Sequence, residues 1–409
     1  MAANPGVSAS MMPLDDIVVL DLTKMMAGPI CTQYLADLGA EVIKVEDTGI
    51  GDDMRNMPPF VGDDGAMFVA VNRNKRSIAL DLKTPEGQAA VRALARRADV
   101  LVESYATGVT DRLGIPPGLL RAEDPRLIYC SISGFGRTGP LAKRPAYELI
   151  LQAFTGIMSV TGEADGPPLR IAFSPLDQTT GIHAATGILA AIRRRDRTGE
   201  GAYVEASLLD TATAFLAWHA QSWWETGELP RRMGSAHGSL CPYQAFRVAD
   251  GYILIAVGSD RLWGALCDAL GMPGMRDDPR FRTNADRVRH FAETVALVQQ
   301  AVVRHPLAHW LALFEAAGIP AAPVNTIDRL LSEPQLEQSG MIMHYQHPVG
   351  GAMRAIAYPV AIDGLPRAVR RPPPLHGEHT DEILAEAGYT ADDIAWLRGA
   401  GIAGRRGRP

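Results

Sequence analysis

Cysteine is scarce in this chain. Its four residues, Cys31, Cys130, Cys241 and Cys267, are scattered through 409 positions, with no CxxC pair and no histidine at ligand spacing. That pattern argues against a disulfide framework and against a metal site, and reduced, mostly buried thiols are expected. No GxGxxG follows any strand-like run, so no nicotinamide or flavin redox cofactor is expected, and the GxxxxGK[ST] phosphate loop is missing as well. Positive charge is not in excess: the formal net charge is -6, which points away from nucleic acid and from anionic membrane surfaces as partners. No apolar run approaches a membrane span, and the opening MAANPGVSASMMPLDD has neither the basic start nor the apolar stretch of a leader. The chain reads as a soluble, cytoplasmic protein with a loose N-terminus, whose partners are small molecules.

What is present is a large apolar fraction, 47%, in a chain long enough for two domains. Strand and helix alternate at first. IVVLDL, EVIKVE, SIALDL, DVLVES and LIYCSIS are short apolar runs that read as buried strands, and AGPICTQYLADLGA and KTPEGQAAVRALARRA read as helices between them. In the second helix Thr84 can cap and Pro85 suits the first helical position. Such alternation predicts an α/β fold with a large, Rossmann-like parallel-sheet domain that lacks the dinucleotide fingerprint. After about residue 225 the texture becomes mostly helical around DGYILIAVG, a smaller α+β domain, and past GIPAAPVNT short strands and closing helices return. The boundaries read as 1–225 for the first part of the large domain, 226–330 for the small domain, and 331–409 for a return to the large one. The tail GRRGRP reads as disordered.

One stretch poses a sharper question. FSPLDQTTGIHAATGILAAI sets a lone acid, Asp177, between a proline turn and a run of small residues. Taken alone, it reads as the cap of the following helix, accepting hydrogen bonds from backbone N–H groups in its first turn.

The motifs DLTKMMAGPICTQYLADLGAEVIKVE, GDDMR, NRNKRSIALDLKTPEG, DVLVESYATGVTDRLG, LIYCSISGFGRTGP, DGPPLRIAFSPLDQTTG, RTGEGAYVEASLLD and GEHTDEIL, in this order, resemble the class III CoA-transferases, the group containing formyl-CoA transferase and carnitine CoA-transferase. The resemblance runs from about Leu14 to Ile402. It implies acyl-CoA and carboxylic acid substrates, coenzyme A as the moiety carried, no metal, and a homodimer of interlocked chains.

On that resemblance, Asp177 is the covalent catalyst, whose carboxylate attacks the thioester carbonyl to give an aspartyl anhydride and release CoA. A helix N-terminus would favour its ionised form. Tyr147 and Glu148 of PAYE stand where the racemases of the same family carry the His and Asp of a GHD motif. This favours transfer of CoA over the alternative activity, racemisation or epimerisation of 2-methylacyl-CoA by Asp177 with a histidine; His183, six positions on, is the candidate base for that alternative. The resemblance further implies that Leu80, Lys83, Ser104, Tyr105 and Arg112 bind the nucleotide part of CoA. Met26 and Ala27 would hold the thioester end, with backbone N–H groups for a developing oxyanion. Met26, Asp47 and Ser104 depart from formyl-CoA transferase, which has glutamine, a basic residue and asparagine there.

The loop MGSAHGSLCPYQAF resembles that of the succinyl-CoA:glutarate CoA-transferases, which implies a short dicarboxylate such as succinyl or glutaryl. His237 in this loop, Arg73 in NRNK and Arg55 in GDDMR are the candidates to bind the substrate. A distal carboxylate buried on binding needs a cation or several donors. The alternative for both arginines is pairing with acids of their own chain.

Overall fold

The computed structural model describes residues 12–404; most of the N-terminal segment read as loose from the sequence, and the tail beyond Gly404, lie outside the described residues. Six strands form one parallel sheet: β1 (Val18–Leu22), β2 (Glu41–Glu46), β3 (Lys75–Ala79), β4 (Val100–Glu103), β5 (Ile128–Ser133) and β6 (Tyr203–Ser207). Their order across the sheet is β3-β2-β1-β4-β5-β6. This is a doubly wound arrangement, and the chain reverses direction across the sheet between β1 and β4. Crevices at the carboxyl ends of the strands at such a switch point are the usual ligand sites of these sheets.

The strands read as continuous apolar runs because both faces are covered. On one face Leu20, Leu22, Ile43 and Leu101 pack under helix α2 (Pro85–Ala95) and under helices near the C-terminus. On the other, Val19, Val42, Val100 and Ile128 pack under α1 (Ala27–Asp37) and α4 (Pro175–Thr198). Two shorter helices, α3 (Glu148–Phe154) and α5 (Leu208–Phe215), complete the elements that concern the site. As its sequence suggests, α2 starts with Thr84 accepting from the Gly87 N–H and Pro85 in its first turn.

The edge of β3 is covered by the C-terminal segment. Ser77 accepts the His379 N–H, the Ala79 N–H donates to Thr380, and Leu80 bridges Ala403, so the GEHTDEIL motif closes an open sheet edge.

Two compact units are present. One comprises residues 12–155, 171–221 and 335–404 of the described chain; the other comprises 156–170 and 222–334. The second unit has an antiparallel sheet of β7 (Tyr243–Val248), β8 (Gly251–Ala256) and β9 (Ala321–Pro323), with a core that includes Phe246, Trp263, Phe281 and Trp310. Residues 156–170, read from the sequence as part of the large domain, pack with this second unit. A lone antiparallel pair, Ile342–His347 with Gly351–Ile356, lies in the returning segment.

Candidate active site

The carboxyl ends of β1 and β4 carry the loops that begin the site. Lys24, just past β1, donates its backbone N–H to Ser104 Oγ at 3.1 Å, which ties the two loops together across the switch point. Met25 adopts a left-handed conformation (φ 65°) that is uncommon for a residue with a long side chain. It brings the chain sharply into α1, where Met26 is the N-cap and Ala27 the first helical residue. The first N–H groups of a helix have no partner within it, so this turn presents donors at the sheet's crevice.

Below the turn lies a layer of buried charge not singled out in the sequence. Lys44 pairs with Asp52 at 2.9 Å and donates to the Thr23 carbonyl; Lys75 pairs with Asp21 at 3.1 Å and donates to the Pro29 carbonyl. All four side chains are fully buried. Burial draws the Lys75 ammonium down to about 8. Lysines inside EVIKVE and NRNKRSIALDL were the available signal, since a charge within a buried strand requires a partner.

Asp177 sits in the third position of α4, after Ser174 in a left-handed conformation (φ 52°) and Pro175. It is therefore not the helix cap; Ser174 occupies that position, without a side-chain cap bond. One turn further on, Gly181 lies against Ala27, and a Cβ there would come within 2.5 Å of the Ala27 carbonyl oxygen. The first turn of α1 and the second turn of α4 are thus neighbours. Asp177 is half-buried, and burial, followed by the nearby Glu148 carboxylate, pushes its pKa up to about 7. The expected ionising influence of the helix N-terminus is outweighed by burial.

Tyr147 is the N-cap of α3 and exposed, and Glu148 opens that helix. Glu148 Oε1 accepts a 2.7 Å hydrogen bond from Gln152. His183 is held at Nδ1 by Thr211 Oγ1, 3.2 Å away.

The residues expected at the nucleotide end divide. Leu80 is fully buried and part of the core, so its side chain does not line a ligand surface. Ser104 Oγ is engaged by the Lys24 N–H, and Tyr105 packs against the core on the α2 face. Lys83 and Arg112 are exposed, and Gln88 Nε2 links their segments by donating to the carbonyls of Leu82 (3.1 Å) and Arg112 (3.4 Å). Two exposed cations on linked segments have the charge that a phosphate group needs.

Arg55 and Arg73 are both buried against acids of their own chain. Arg55 makes a two-pronged bond to Glu46, a 2.9 Å bond to Asp64, and stacks on Phe68. Arg73 forms a two-pronged bond to Asp37. With their guanidinium groups so engaged, neither is available to a substrate carboxylate in this structure. His237 belongs to the second unit, where its Nδ1 accepts the Ser239 N–H and its ring lies edge-on to Tyr243. Among the described residues, no three His, Cys, Asp or Glu side chains gather as a metal site, and no helix is long and apolar enough to cross a membrane.

Residues 14–380 match CoA-transferase family III. The chain belongs to this family. It is 40% identical over 378 residues to succinyl-CoA:glutarate CoA-transferase from Mus musculus, an alignment covering 92% of this chain and 87% of that protein. Identity to the acetyl-CoA:oxalate CoA-transferase of Acetobacter aceti is 41%, over 88% and 92% of the two chains. Among solved structures, a CAIB/BAIF family protein from Brucella suis superposes with a TM-score of 0.83 at 38% identity, covering 92% of this chain and 99% of that one. The protein is a family III CoA-transferase, and its relatives act on acyl-CoA and carboxylate substrates.

Proposed function

We propose that this enzyme moves CoA between an acyl-CoA and a free carboxylate through an anhydride on Asp177. The observation that carries the reading is the position of Asp177, half-buried in the first turn of α4 with α1 packed beside it. In the first step an Asp177 oxygen attacks the thioester carbonyl carbon, the C–S bond breaks and CoA leaves as the thiolate. The N–H groups at the start of α1 are suited to stabilise the oxyanion formed on the way. Burial, and after it the charge of Glu148, raises the pKa of Asp177, so the attacking form is the carboxylate that has lost this proton.

Short dicarboxylates of the succinyl and glutaryl type are the proposed substrates. Support comes from relatives named for succinate and glutarate, including a 39% identical protein of Agrobacterium fabrum. Since Arg55 and Arg73 are engaged internally, the distal carboxylate is expected to use donors other than these two. His237 remains the proposed contact in its loop, and Lys83 and Arg112 remain the proposed phosphate ligands. We also read the enzyme as a homodimer of interlocked chains; Tyr147, Phe154, Phe173 and Trp218 of the first unit are large apolar side chains left exposed that a partner chain would cover.

The test is substitution and trapping. Asp177→Ala should abolish transfer from succinyl-CoA to glutarate while leaving CoA binding intact, and hydroxylamine added during turnover should modify the peptide containing Asp177. Comparable turnover by the alanine variant would sink the mechanism.

A further inference from the structure

The first unit is interrupted just before its nucleophile. The chain leaves it at Gly156, after α3, and comes back at Ile171, six residues before Asp177. Whatever fixes the register of that return fixes where the nucleophile lands. Between Ile171 and α4 the backbone has few other anchors: Gln178 reaches back to the Phe173 carbonyl at 2.6 Å, and Ser174 is in the left-handed region.

Gln152 supplies the missing anchor. Its side chain is fully buried. The amide oxygen accepts the Ile171 N–H at 2.8 Å, which leaves both amide hydrogens to donate. One goes to the Ile171 carbonyl at 3.1 Å and the other to Glu148 Oε1 at 2.7 Å. Gln152 and Glu148 are four apart on α3, on one side of the helix. A single amide therefore joins the last helix before the excursion, the first residue after it, and the carboxylate beside Asp177. Neither glutamate nor methionine can replace it, because the position needs one acceptor and two donors at once.

We infer that Gln152 is a positioning residue of this site: its amide sets the return of the chain at Ile171 and holds Glu148 facing Asp177 before substrate arrives. The inference rests on Asp177 being the nucleophile. In the free enzyme burial, and after it the charge of Glu148, raises the pKa of Asp177. Gln152, as a donor, fixes where Glu148 Oε1 sits.

The experiment uses the full-length enzyme and Gln152→Met, which keeps side-chain length in the buried position. Expected is a kcat about 10- to 100-fold lower, with KM for succinyl-CoA within about twofold, since the proposed phosphate ligands are untouched. A readout independent of turnover is the pH dependence of carbodiimide labelling at Asp177, followed by mass spectrometry. A protonated carboxyl group gives its proton to the carbodiimide nitrogen as its oxygen adds to the central carbon, so the midpoint reports this proton. The midpoint should fall in Gln152→Met, fall in Glu148→Gln, and fall no further in the double variant than in Glu148→Gln alone. A wild-type midpoint in folded Gln152→Met, or additive shifts in the double variant, would overturn the inference. Turnover by Asp177→Ala would remove the nucleophile assignment instead, and the labelling series would still decide whether residues 148 and 152 act together.

Discussion

The carbonyl oxygen of Ala27 lies directly against Gly181, so close that a Cβ on that glycine would stand 2.5 Å from it. This contact brings together two helix starts that come from distant parts of the chain, one presenting N–H groups and the other carrying Asp177. Both helices lie on the same face of the sheet, against Val19, Val100 and Ile128.

Gly181→Ala tests the contact. In an isolated helix alanine would be favoured by about 1 kcal/mol, yet here the added methyl meets backbone, which has no rotamer through which to retreat. The variant is expected to keep its helical circular dichroism and lose about 10- to 100-fold in kcat. A wild-type kcat would show that the spacing of α1 and α4 does not matter to the chemistry.

The pH dependence follows from Asp177. With its pKa pushed up to about 7 by burial and by Glu148, kcat/KM should rise with pH through that value as the nucleophile ionises. Glu148→Gln removes the neighbouring charge but not the burial, so the rise should move to lower pH without reaching the ordinary carboxylate value of 3.8. Rate profiles between pH 5 and 9 would reveal a limb that stays fixed if Glu148 does not act on Asp177.

Stability should carry the same signature. A carboxyl whose pKa is higher folded than unfolded binds its proton more tightly in the native state, so its ionisation opposes folding as pH rises from about 4 to about 7. Asp177→Asn removes that effect. Thermal unfolding of the ligand-free enzyme should show the variant more stable than wild type at pH 8, by on the order of 2 kcal/mol after allowing for partial solvent exposure, and nearly equal at pH 4. The reverse ordering would mean that Asp177 is held ionised.

Arg73 is expected to act on stability and not on specificity. Arg73→Met leaves the Asp37 carboxylate without its principal partner and should destabilise the protein by roughly 3–5 kcal/mol. Adding Asp37→Leu should recover much of that loss. Surviving activity should fall equally for glutarate and for a monocarboxylate of similar length. A loss confined to glutarate, measured as kcat/KM for the two acceptors, would return Arg73 to the substrate site.

The scaffold is written in local sequence. Apolar runs of strand length alternating with helices specify a parallel sheet, because strands covered on both faces have few polar positions; β1 through β5 and the capped start of α2 follow directly. Asp177, Tyr147 and Glu148 were expected as a group from motifs held in a fixed order; the charge of Glu148 reaches Asp177, and Tyr147 is exposed. Which charges are engaged in the interior is a property of the folded chain. Arg55, Arg73, Lys83 and Arg112 look alike in sequence, but the first two meet Glu46 and Asp37 in the interior and the last two face solvent. Pairing between residues 9 and 36 positions apart is set by how helices dock on the sheet, which no local pattern encodes. The same holds for Asp177: its local position in a helix's first turn argues for an ionised carboxylate, and its neighbours in space raise its pKa. Local sequence fixes the helix start, while burial and the approach of Glu148 exist only once the chain has returned at Ile171.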